Sequence, residues 1–274
     1  MATADVWWWR IPVPFEPADL ALLSPAERAR VDRARTPRAK ASVVGSRAGV
    51  RRALGVLLGA RPEDIELGRA ACPCCGAPDK GPPVVLRPAA APHISISHAD
   101  GCAALAVSER LVGVDVERRR ALATTELASV ALSPAERAHL GSLAPGPARE
   151  AAFLRCWTRK EAVLKAVGIG VTTDLTRLES DPAAPGPVRV TAGARPGDTR
   201  PWSVTDLPLP TPWTASLAVA TPSTAPRPPE IRLHGPLTPR GDDGWPCPPY
   251  RPAERGGTAP CGDVSAGAHN ARHE

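Results

Sequence analysis

No apolar run in this sequence approaches the roughly 18 residues that a bilayer-crossing helix needs. The N-terminal residues lack a basic stretch followed by an apolar one and a cleavage site, so the expectation is a cytoplasmic protein with no membrane association. A disulfide framework is missing too. The cysteines Cys72, Cys74, Cys75, Cys102, Cys156, Cys247 and Cys261 are odd in number and scattered, which suits reduced thiols. Cys72 and Cys75 form one C-x-x-C knuckle, but no second C-x-x-C completes the four ligands of a structural zinc site, and zinc is not expected there.

What is present is the composition of a globular protein, 43% hydrophobic and 23% charged over 274 residues, with ample length for a core. The net charge of +6 favours partners that carry phosphates or carboxylates. That charge is concentrated. Between Arg28 and Arg52 stand nine basic residues against one acid, Asp32, so the rest of the molecule is slightly acidic. Val43, Val44, Val50, Leu54, Leu57 and Leu58 interleave with the later cations and make a folded, amphipathic helix face. From charge alone, an anion-binding surface, a nucleic-acid-binding module and a solvated helix face all remain open.

Val6 to Val13, with three adjacent tryptophans, reads as a first strand with one ring exposed. Leu23-Ser24-Pro25-Ala26-Glu27-Arg28 opens a helix: Ser24 caps, Pro25 takes the first position, and Glu27 closes a capping box. The second half repeats this as Leu132-Ser133-Pro134-Ala135-Glu136-Arg137. A helix follows each copy, at 42–58 and 151–167, and each half closes on a pair of strands, 94–97 with 104–107 and 202–205 with 216–219. The expectation is an α+β protein of two similar α/β subdomains related by pseudo-two-fold symmetry, residues 1–110 and 111–221, with a ligand crevice between them. Residues 222–274 hold eleven of the 34 prolines with almost no apolar periodicity, and are expected to be a disordered tail.

Two stretches carry chemistry. In Val112-Gly113-Val114-Asp115-Val116-Glu117 the period of two puts Asp115 and Glu117 on one face of a strand, where like charges repel unless a hard cation sits between them. In Trp157-Thr158-Arg159-Lys160-Glu161-Ala162-Val163-Leu164-Lys165 the spacing of four stacks Trp157, Glu161 and Lys165 in one column of a helix that Gly168 caps. Three carboxylates and a lysine suit a Mg²⁺-phosphate site, where the metal bridges phosphate oxygens and the lysine neutralises departing charge. Residue types alone point to phosphoryl chemistry on a nucleotide-like substrate. A Mg²⁺-dependent phosphohydrolase would use the same set.

The G-V-D-V-E stretch, followed by Trp157-Thr158-Arg159-Lys160-Glu161-Ala162 and Lys165-Ala166-Val167-Gly168, with Ile96-Ser97-His98 upstream, resembles the signatures of the surfactin-type 4'-phosphopantetheinyl transferases over roughly residues 5–220. The resemblance implies transfer of phosphopantetheine from coenzyme A to a serine of an acyl or peptidyl carrier protein, releasing 3',5'-ADP. The carrier could belong to a fatty acid, polyketide or nonribosomal peptide synthase, as in secondary metabolite biosynthesis. Asp115, Glu117 and Glu161 would hold Mg²⁺, and Glu161, directly or through a metal-bound water, would deprotonate the serine. Lys165 would stabilise the departing phosphate. His98 would meet the 3'-phosphate of coenzyme A beside Ser97, with Arg30, Arg47 and Lys80 adding charge, and Trp157 would pack to position its helix. Two halves in one chain would complete the site in a monomer without nucleic acid. The sequence departs from the family in its Lys80-Gly81-Pro82 order, where G-K-P is common, and in Ser42, where arginine is common.

Overall fold

The computed structural model describes residues 3–89, 92–119, 124–169, 174–192, 199–222 and 228–237. The chain opens with β1 (Thr3–Arg10), three helices α1 (Pro17–Ala21), α2 (Pro25–Arg33) and α3 (Pro37–Leu58), and a hairpin β2 (Glu66–Arg69) and β3 (Pro83–Arg87). Strands β4 (His93–Ala99) and β5 (Cys102–Ser108) complete this part. There follow β6 (Val112–Arg118), α4 (Thr124–Ala131), α5 (Pro134–Ser142), α6 (Pro147–Val167), β7 (Val188–Thr191), β8 (Pro201–Leu207), β9 (Trp213–Ala220) and β10 (Glu230–Leu237). Two four-stranded sheets result, ordered β10-β1-β5-β4 and β6-β9-β8-β7.

Alternation along each strand explains the layers. Val6 and Trp8 of β1 join Ala104, Ala106, Val114, Val116, Leu217 and Val219 in a core between the two sheets. Trp7 and Trp9 point the other way, into a core with Ala41, Val50 and Leu54 of α3. Helix α6 covers the second sheet equivalently, with Val163 and Ala166 against Val204 and Ala218. Because β1 is covered on both faces, all three tryptophans are buried, and the single exposed ring expected from the sequence is not found. Gly113 lets α6 lie directly on β6, since a Cβ there would overlap the Ala162 carbonyl and the Ala166 nitrogen.

The repeat is real at the level of interactions. Ser24 and Ser133 each cap a helix whose third residue, Glu27 or Glu136, bonds back to the cap nitrogen. Each glutamate then turns to a cation on the long helix: Arg51 Nη2 lies 2.9 Å from Glu27, and Lys160 Nζ lies 2.5 Å from Glu136. Residue numbers differ by 109 across all three pairs, Ser24 to Ser133, Glu27 to Glu136 and Arg51 to Lys160. Helix α3 starts at Pro37 rather than at 42, because Thr36 caps it by accepting from Ala39 N–H at 3.1 Å.

The sheets meet edge to edge along an unusual seam. Val114 N–H donates to Ser95 Oγ at 3.0 Å and Val116 N–H donates to Ser97 Oγ at 3.2 Å, so serine hydroxyls stand in for the carbonyls of an ordinary ladder between β4 and β6. The expectation of a disordered tail from residue 222 is corrected over Glu230–Leu237, which pairs parallel with β1. There Ile231 and Leu233 pack against the core between the sheets, and His234 stacks on Trp7 at 4.8 Å with Nε2 2.8 Å from Asp5 Oδ1. Residues 238–274 of the expected tail lie outside the described residues.

Candidate active site

Strand β6 and helix α6 run antiparallel in contact, and this brings the two signature stretches together. Asp115 is buried at the centre of β6. Its Oδ1 accepts from Lys165 Nζ at 2.6 Å and from Ser97 Oγ at 3.1 Å, and Lys165 also donates to Ser97 at 2.8 Å. Glu161, one turn before Lys165, is buried beside them. Two oxygens at this spot, Asp115 Oδ2 and Glu161 Oε1, are buried without a hydrogen-bond partner. Burial, then the charge of Asp115, with a lesser push from Glu117 and against the pull of Lys165, raises the Glu161 carboxyl from 4.5 to about 7.

A cation would satisfy those orphaned oxygens and relieve the repulsion on Glu161, and the donors are hard oxygens of the kind that Mg²⁺ prefers. As they stand, no three acid, histidine or cysteine side chains among the described residues converge closely enough to hold a metal. The Lys165 ammonium sits against Asp115 instead. Glu117, half-buried at the end of β6, accepts from Trp157 Nε1 at 3.2 Å. Trp157 is therefore more than packing: it orients one of the three acids, a role the sequence hinted at only by placing it one turn before Glu161.

On the other side of Ser97, His98 is open to solvent although protein surrounds it, as befits a side chain lining a cleft. Its pKa is lowered by burial first, then by the charges of Arg47, Lys165 and Arg30. Arg47 is itself pushed down by burial and, against the pull of Glu27, by its neighbours Arg30, Arg51 and Arg69. Four of the expected anion-binding residues, Ser97, His98, Arg30 and Arg47, are thus gathered at one edge of the acid cluster. Lys80 lies between β2 and β3, where its charge acts on Cys72. Ser95, which the sequence offered as one more alternating position of β4, proves to fasten the two sheets.

Cations thus lie to one side of Ser97 and carboxylates to the other, with Lys165 between them. The description "4'-phosphopantetheinyl transferase superfamily" matches residues 111–220, which include Asp115, Glu117, Glu161 and Lys165. The 4'-phosphopantetheinyl transferase HetI of Nostoc sp. is 32% identical over 177 residues, 61% of this chain and 70% of that protein. A putative 4'-phosphopantetheinyl transferase of Synechocystis sp. is 28% identical over 207 residues, 75% of this chain and 80% of that protein. The chain belongs to the 4'-phosphopantetheinyl transferase superfamily of enzymes.

Proposed function

We propose that this enzyme transfers 4'-phosphopantetheine from coenzyme A to a serine hydroxyl of an acyl or peptidyl carrier protein, with Mg²⁺ and with release of 3',5'-ADP. The observation that carries this reading is the gathering of His98, Arg47 and Arg30 on one side of Ser97 and Lys165, with Asp115 and Glu161 on the other. The cationic edge holds the 3'-phosphate and nucleotide, which leaves the pyrophosphate at Lys165 and the acids. Asp115, Glu117 and Glu161 would hold Mg²⁺, which when bound neutralises charge on the pyrophosphate oxygens. Glu161 accepts the proton of the carrier serine as its oxygen bonds to the β-phosphorus, and the bond from that phosphorus to the bridging oxygen of 3',5'-ADP breaks. Lys165 neutralises the departing phosphate.

Carriers of fatty acid, polyketide and nonribosomal peptide synthases all present such a serine, and the cleft accepts them as a monomer in the cytoplasm. Intact mass of an apo carrier after incubation with the enzyme, coenzyme A and Mg²⁺ tests the reading. A gain of one phosphopantetheine, about 340 Da, that needs metal and vanishes in Glu161→Ala is expected. Coenzyme A cleaved with no mass added to any carrier would replace the transferase with a hydrolase.

A further inference from the structure

The turn between β2 and β3 carries Cys72, Cys74 and Cys75, and the phosphoryl chemistry uses none of them. Cys72 N–H donates to Ala77 O at 2.9 Å, Gly76 N–H donates to Cys72 O at 2.8 Å, and Gly76 closes the turn at φ 72°. That turn folds Cys74 and Cys75 back beside Cys72, near enough for their backbone, and then the Cys75 thiol, to act on the Cys72 sulfur. Cys72 is half-buried and its two neighbours are exposed, all as free thiols. Cys102 and Cys156 are the opposite case, buried and pushed up to about 12 by burial, which leaves them inert.

Two further features tie this turn to the active site. Gly168, the left-handed cap of α6, faces the turn so closely that a Cβ on it would stand 2.8 Å from Pro82 Cδ and 3.4 Å from Pro73 Cγ. Pro73 lies inside the C-x-x-C itself, and Lys165 lies on the last turn of α6 before that cap. A cavity of about 340 Å³ opens between Ala70, Ala71, Pro73 and Pro82 on the hairpin side and Ala166 and Val167 of α6. A metal is the other use for such a knuckle, but among the described residues no further ligand stands near enough to complete a site.

We propose that Cys72 and Cys75 are a reversible thiol-modification site, a dithiol that low-molecular-weight disulfides oxidise to an intramolecular disulfide, and that the change is felt at the end of α6 through Pro73 and Gly168. The Cys72 thiolate attacks one sulfur of the small disulfide and expels one thiolate. Cys75 then attacks the Cys72 sulfur of the mixed disulfide and expels the second. Two electrons pass from the protein to the small disulfide, and the two cysteine protons end on the released thiols. The N–H groups of Cys75 and Cys74, with the Cys75 thiol and Lys80, lower the Cys72 pKa and so favour the attacking thiolate.

The test equilibrates the whole chain with glutathione and glutathione disulfide at graded ratios. Unreduced peptide mapping locates any disulfide, hydrogen exchange follows residues 164–168, and carrier modification gives turnover. The expected result is a Cys72–Cys75 link with loss of two hydrogens, altered exchange at the end of α6, and turnover changed by about ten-fold and restored by dithiothreitol. Cys74→Ser should keep all of this, and Cys72→Ser should hold turnover constant at every ratio. Absence of the link at every ratio, zinc bound to these thiols in the isolated protein, or a linked protein with unchanged exchange and turnover would each overturn the proposal. The turnover readout rests on the transferase reading. A fully reduced protein that modifies no carrier would count against that reading alone, because mapping and exchange still decide the dithiol.

Discussion

Trp157 on α6 donates its indole N–H to Oε1 of Glu117 on β6 at 3.2 Å, while its ring stacks on Phe153 with centroids 6.4 Å apart. One side chain thus ties an acid of the cleft to the body of the helix that carries the other reacting groups. Trp157→Phe keeps an aromatic in the stack and removes the bond. Turnover should fall about ten-fold with a higher Mg²⁺ requirement, and stability should fall by only about 1 kcal/mol. Metal titrations of activity alongside urea unfolding check this; a variant that loses stability but not metal affinity would return Trp157 to a packing role.

The acid cluster sets a pH dependence of stability. Glu161 has an ordinary value of 4.5 and stands at about 7 in the metal-free fold. The native state therefore holds a proton that the unfolded chain releases across that interval, so stability falls as pH rises from 4.5 to about 7. Bound Mg²⁺ favours the ionised carboxyl and should shrink the fall. Urea midpoints measured in EDTA and in Mg²⁺ across this range read it directly. Glu161→Gln should flatten both profiles, and a flat wild-type profile in EDTA would sink the account.

His98, with Arg30 and Arg47 acting on it, should discriminate a 3'-phosphate. His98→Ala is expected to raise KM for coenzyme A by about ten-fold or more, at a charge-assisted bond's worth of binding. With dephospho-coenzyme A, which lacks that phosphate, wild type and variant should be alike. An equal loss with both substrates would place His98 elsewhere on the nucleotide.

The capping glutamates should differ in what their loss costs. Glu136 is fully buried, pairs with an equally buried Lys160, and also accepts from Ser180 N–H at 2.8 Å. Glu136→Ala leaves the Lys160 ammonium with only the Ala131 and Leu175 carbonyls, at 2.7 and 2.9 Å, and should cost about 3–5 kcal/mol. Glu27→Ala should cost less, because Glu27 and its neighbour Arg47 keep partial contact with water. Equal losses of stability in the two variants would contradict this.

Local rules made much of this molecule legible from its residues. The capping boxes, the strand acids Asp115 and Glu117, and the Glu161–Lys165 column each depend on spacings of two to four residues, and each stands as expected. The start of α3 was within reach of the same rule, since Thr36-Pro37 repeats the Ser24-Pro25 pattern. What was not legible depends on partners far along the chain. The burial of all three N-terminal tryptophans needs both a helix and a second sheet around β1. Strand β10 is held by Asp5 and His234, 229 residues apart, in a segment whose composition argues against structure. The seam at Ser95 and Ser97 looks, in sequence, like any other alternation.

The spacing of 109 residues between the capping boxes, and between their partners on the two long helices, permits the helices of the two halves to be laid over one another. On the helices, Glu161 and Lys165 then fall on Arg52 and Val56, while Arg30 and Arg47 fall on His139 and Cys156. None of these residues meets its like. The repeated scaffold is matched down to the glutamate that caps and pairs, while charge is divided by sign: Arg30 and Arg47 stand in one half and Asp115, Glu117 and Glu161 in the other. The two sets meet only because the halves are joined, at a seam of two serine hydroxyls, so any separation of the sheets would part the cations from the acids.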